Sequence, residues 1–201
     1  TFRVSDRITL DAQMINGEGY KNPQSSDGLF RTGAGVTVEL LENLSCRLFR
    51  DNLPTAEDSM FSLDLNMYLP ATEQIITSAA LVYKAGNYNI GIEKSIMENE
   101  NNYELGMLKR EIVSIYGSMD LGEFTVFLRR DIVSSDISEI NNEAELIQSG
   151  DGTYQIFGIE KQMTKGIKVS LNMQSWQDEN LEGETEALEE RTMFVNLECK
   201  F

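Results

Sequence analysis

Apolar and polar residues alternate with a period of two along most of the chain, which predicts β-strands rather than helices. The C-terminal stretch shows it best: Met193, Val195, Leu197, Cys199 and Phe201 share one face, and Phe194, Asn196, Glu198 and Lys200 the other. The stretch before it sets Ile167, Val169, Leu171 and Met173 against Lys168, Ser170, Asn172 and Gln174. Similar alternation starts at Ile8, Gly33, Leu44, Tyr88, Val113 and Phe124, and less cleanly over Gln74–Ala85 and Thr153–Met163.

Connections alternate in length. Short turns fall at Leu41–Asn43, Ala85–Asn87, Asp120–Glu123 and Thr164–Gly166. Between them lie longer polar loops at Asn16–Gly28, Leu53–Glu73, Glu98–Asn102, Ser134–Gly152 and Gln177–Glu189. Short turns on one side and long loops on the other are the habit of an outer-membrane barrel. The count is about ten antiparallel strands in one domain over residues 1–201, with both termini on the short-turn side. Phe61, Leu63, Leu65, Met67 and Leu69 also alternate with polar residues. An eleventh barrel strand there would reverse the side of every earlier loop, so this segment is expected inside the second long loop. A turn hidden at Lys109–Glu111 would raise the count to twelve.

Composition narrows the function. With a net charge of −16 and no histidine, the chain lacks the basic face that phosphate neutralisation needs. A partner nucleic acid, a His-based triad and a His-ligated metal are therefore not expected. Cys46 and Cys199 fit neither a disulfide scaffold nor a CxxC site, and two free thiols are expected. Nothing at the N-terminus has a signal-peptide pattern. No apolar run reaches the roughly 18 residues of a transmembrane helix, although barrels escape that test. There is no GxSxG elbow and no cysteine–base pair, so neither enzyme chemistry nor a cofactor is expected.

Alternating strands also build soluble sandwiches and lipocalin-like binders, whose apolar face points inward. Three features favour a membrane barrel: a long strand near Tyr103–Met119, polar faces mixing Arg, Glu, Asn, Ser and Gly, and an aromatic last residue. Val195, Leu197, Cys199 and Phe201 resemble the terminal signal read by the barrel assembly machinery. Asp11–Asn22 (DAQMINGEGYKN), Tyr116–Asp131 (YGSMDLGEFTVFLRRD) and Gly158–Trp176 (GIEKQMTKGIKVSLNMQSW) resemble porin-like proteins of the phosphate-selective type, especially those of Bacteroidota. In the second stretch Arg130 stands where those proteins carry the tyrosine of an Arg-Tyr-Asp ending. The resemblance implies an all-β, transmembrane, antiparallel up-and-down barrel, integral to a bacterial outer membrane. Such proteins have about sixteen strands, and this chain matches their C-terminal part. Basic residues are sparse, so anion selectivity is not carried over.

The implied function is a porin-like channel for passive diffusion of small hydrophilic solutes or ions. Candidate lumen residues are Arg31, Glu39, Arg47, Glu93, Arg129 and Lys168. Opposed charges across a pore would order water and sort solutes; alternatively, inward charges pair with one another and fill a narrow bore. Loop Ser134–Gly152 holds Asp136, Glu139, Glu143, Glu145 and Asp151 with no base, and Gln177–Glu190 holds seven acids with none. Such loops could gather cations, bridge to lipopolysaccharide through divalent ions, or simply stay solvated, and no EF-hand spacing singles out a metal site. Expected partners are outer-membrane lipid and lipopolysaccharide, the assembly machinery, and further copies or an outer-membrane complex. The alternatives are an anchoring barrel that binds a partner through its acidic loops, and a soluble binder.

Overall fold

A computed structural model describes residues 1–16, 30–54, 59–62, 67–70, 73–99, 109–136, 151–178 and 189–199. Among the described residues, ten long strands alternate up and down: β2 (Ile8–Asn16), β3 (Phe30–Leu41), β4 (Leu44–Leu53), β7 (Gln74–Ala85), β8 (Tyr88–Glu98), β9 (Lys109–Leu121), β10 (Phe124–Asp136), β11 (Gly152–Thr164), β12 (Ile167–Asp178) and β13 (Glu189–Cys199). Each pairs antiparallel with its neighbour in chain order, and a two-residue strand β1 (Phe2–Arg3) flanks β2. The long strands run 9 to 13 residues. Soluble sheets average about 5–6 residues per strand, and a tilted bilayer crossing needs about 9–11. Among the described residues the order ends at β1 and β13, which do not pair with each other.

Tight turns set the register. Gly86 and Gly122 open two-residue connections at φ of 57° and 77°, a conformation that costs glycine little and other residues much. Gly166 closes a third at φ 84°. The two register irregularities, at Glu39/Leu41 and Gln162/Thr164, both lie beside short turns, so the ladders away from the turns are unbroken.

Several expectations shift. β9 runs through Lys109–Glu111 without a turn, which removes the twelve-strand count. The Phe61–Leu69 segment is not one strand. It contributes to a separate hairpin of β5 (Ser59–Ser62) and β6 (Met67–Pro70), off the main sheet and between β4 and β7, where a loop insertion was expected. β10 and β12 run into the predicted loops, to Asp136 and Asp178. Asp151, expected as a solvated loop acid, is buried: its carboxylate accepts bonds from the Ser135 backbone N–H at 2.6 Å and hydroxyl at 2.7 Å, tying β10 to the start of β11. The other acids of loop 134–152 from Glu139 onward, and most of those in 177–190, lie outside the described residues, as does the loop at 17–29.

The two faces of the sheet differ in kind. Side chains alternate between faces, and the register carries each face across all ten strands. One face bears Leu48, Leu81, Ile90, Ile115, Leu128, Phe157, Leu171 and Val195, all exposed. The other holds Asp51, Gln74, Ser114, Asp131 and Asn172, all buried. Side chains on the outside of a curved sheet diverge and those on the inside crowd together, so the polar face is the inner one. No large side chain is fully buried and no second layer covers the apolar face among the described residues. A soluble sandwich or lipocalin would bury that face. This sheet does the reverse.

Candidate functional site: the polar face of the sheet

The register places Arg31, Glu39, Arg47, Glu93, Arg129 and Lys168 all on the polar face. Thr37 opposes Arg47, Arg47 opposes Ala80, Ala80 opposes Glu93, and Glu93 opposes Ser114. The same face continues through Asp131, two residues from Arg129, to Tyr154, and on to Gln162 opposite Lys168. The six are spread around the wall and form no single cluster.

Each of the four cations meets a carboxylate. Arg31 Nη1 lies 3.3 Å from Asp51 Oδ1, and its Nη2 donates to Gln74 Oε1 on β7. Arg47 Nη2 reaches Asp11 Oδ2 at 2.7 Å, spanning from β4 to β2 over Gly35. Arg129 Nε donates to both oxygens of Asp131 at 2.8 and 2.9 Å, and its Nη2 to the Ser114 hydroxyl at 3.2 Å. Lys168 Nζ lies 2.7 Å from Glu160 Oε1. Glu93 accepts a bond from the Ser95 hydroxyl at 3.0 Å, whereas Glu39 is exposed beside the bulge at the short-turn end. Among the described residues no buried side-chain nitrogen or oxygen lacks a partner. That completeness stiffens the wall, because a half-satisfied polar network would cost more than an apolar one.

Aromatic rings on this face lie against glycines of the neighbouring strand. Phe49 opposes Gly35, Tyr116 opposes Gly91, and Phe127 opposes Gly158. A Cβ at Gly91 would fall 2.4 Å from Tyr116 Cζ, and one at Gly158 2.4 Å from Phe127 Cζ. The missing side chain lets each ring lie along the sheet instead of standing away from it. The sequence pattern did not single out these pairs, nor the acids Asp11, Asp51, Asp131 and Glu160. Glycine at the polar phase of Gly33–Gly35, Gly91 and Gly158 was the available signal.

The short-turn margin carries a different chemistry. On the apolar face the Tyr83 and Tyr88 rings lie 6.1 Å apart, and Lys161 Nζ sits 4.8 Å from the Phe124 ring centre. In the turn before Phe124, a hydrogen bond from Lys161 at 2.8 Å, and then its charge, hold the Glu123 carboxyl below its ordinary pKa. Val195 and Leu197 stand exposed on the apolar face of β13, Cys199 is exposed, and Cys46 is free as well, as expected. Phe201 lies outside the described residues.

No family model matches the chain, and no curated protein matches it. Among solved structures, a porin refined at 1.8 Å resolution superposes with a TM-score of 0.58 at 11% identity, covering 96% of this chain. The match covers 60% of that porin, so this chain spans about three-fifths of its length. The fold is thus a porin-like, antiparallel up-and-down β-barrel fold, as the connection lengths and the resemblance together imply.

Proposed function

We propose that this chain forms the wall of a porin-like channel in a bacterial outer membrane, passing small hydrophilic solutes or ions passively. One observation carries this: a single-layer sheet whose exposed face is apolar and whose crowded face is polar and ion-paired. In hydrocarbon every backbone N–H and C=O must find a partner, so a sheet survives there only when its edges are paired. The apolar face would then meet acyl chains, and the polar face would line a water path. Arg31, Glu39, Arg47, Glu93, Arg129 and Lys168 would be its charged lining. Because each of the four cations is held by a carboxylate, the lining supports a weakly selective wall rather than an anion trap. Within this class, the stretches Asp11–Asn22, Tyr116–Asp131 and Gly158–Trp176 favour kinship with phosphate-selective porin-like proteins. Contact with outer-membrane lipid and with the barrel assembly machinery belongs to the same proposal.

The same ion pairs favour one other role. Inward charges that neutralise one another can fill a narrow bore, leaving a barrel that anchors a partner through its acidic loops. Planar-bilayer recording of the full chain separates the two. Stepwise current increments are expected from the channel; folded, inserted protein that gives none supports the anchor.

A further inference from the structure

We propose that the apolar face carries a binding site for a phosphate-bearing lipid near its long-loop margin, with Arg50 as the phosphate ligand. This rests on the membrane role proposed above and adds a specific site to it. Two depressions, of about 530 and about 470 Å³, share Ala34 and Arg50 and so run together along β3, β4 and β7. Their origin is in the register. Ala34, Arg50, Thr77 and Ile96 form one cross-strand row, and Val36, Leu48, Ala79 and Lys94 the next. Alanine and threonine among larger aliphatic side chains leave a furrow that an acyl chain can occupy.

Arg50 rises from that furrow. It is exposed, and among the described residues its side chain has no hydrogen bond or ion pair. The other charges around it are engaged: Lys94 Nζ bonds Glu111 Oε2 at 2.7 Å, and Glu73 Oε2 accepts from Asn52 Nδ2 at 3.1 Å. An arginine next to hydrocarbon must reach the interface or find an anion. Arg50 sits three residues from the end of β4 at Leu53, with Leu44, Cys46 and Leu48 on its turn side and Asn52 beyond it. Hydrocarbon would give way to headgroups at about that level. A guanidinium pairs with phosphate through two parallel hydrogen bonds, and the furrow below it accepts the chain that a free phosphate lacks. Headgroup charge and tail thus meet complementary surfaces in one place.

The full chain, folded in detergent and inserted into liposomes to establish protease protection, is titrated by native mass spectrometry with phosphatidylglycerol, chain-matched diacylglycerol and inorganic phosphate. One phosphatidylglycerol per chain is expected to persist, with diacylglycerol retained about tenfold less, because the charged contact is the discriminating one. Arg50→Gln should lose a similar factor and Arg50→Lys should keep most of the binding, both with insertion unchanged. Equal retention of diacylglycerol, undiminished binding by Arg50→Gln, or displacement of the lipid by excess inorganic phosphate would overturn the site while leaving the membrane role standing. Failure to insert at all would overturn both.

Discussion

At Gly91 an added Cβ would fall 2.4 Å from Tyr116 Cζ, so the ring would have to move. Gly91→Ala should destabilise the folded protein by about 1–3 kcal/mol, the usual cost of overpacking, and lower single-channel current by pushing the phenol toward the lumen. Tyr116→Ala in the same chain should recover most of the loss, and urea unfolding of the four proteins in lipid measures the coupling. Arg129→Gln leaves the largely buried Asp131 carboxylate without its main partner and should cost about 1–3 kcal/mol. The same change should move the reversal potential in a salt gradient toward cation preference. At the exposed turn, Glu123 should titrate below an ordinary glutamate by NMR, and Lys161→Gln should bring it back up. A lowered folded-state pKa means that the small stabilisation from this pair is present at neutral pH. It is lost as pH falls through the Glu123 value. Such contacts were largely illegible in sequence. Arg47 and Asp11 meet only because the register sets Gly35 between them, and no spacing along the chain announces that.

Whole strands were far more legible than contacts. A strand with one apolar and one polar face repeats every two residues, so ten long strands and four short turns are visible in the sequence alone. The exceptions have physical reasons. β1 is two residues long, too short for any period to appear. Alternation from Phe61 to Leu69 continues through residues 63–66, so nothing in the pattern separates β5 from β6. Strand ends slipped outward because polar residues such as Ser135 still take part in the ladder where loop composition begins. Among the described residues the β5–β6 hairpin pairs with no strand of the main sheet, and Leu53 already opposes Gln74 across β4 and β7. Replacing residues 55–72 with a short glycine-containing turn should therefore leave the sheet intact. Far-UV circular dichroism and heat-modifiable gel mobility should match the parent within error. Loss of folding would show that the insertion carries contacts the sheet needs.

At the scale of the molecule, everything turns on which face meets lipid. A charge placed on a lipid-facing position near the bilayer midplane costs about 2–4 kcal/mol, whereas lumen positions tolerate charge and alter selectivity instead. Ile92→Arg should therefore sharply impair insertion, and Glu93→Gln, on the next residue and the opposite face, should insert normally. The most direct measurement is a cysteine scan of β10 from Val126 to Ile132, with Cys46 and Cys199 first replaced by serine and the protein folded into liposomes. Each thiol is tested with a water-soluble reagent and, after attachment of a fluorophore, with quenchers fixed on lipid chains. Positions 126, 128 and 132 should be quenched by lipid and shielded from the reagent, while 127, 129 and 131 should react with it and escape quenching. The opposite phase, or no alternation at all in inserted protein, would contradict the account.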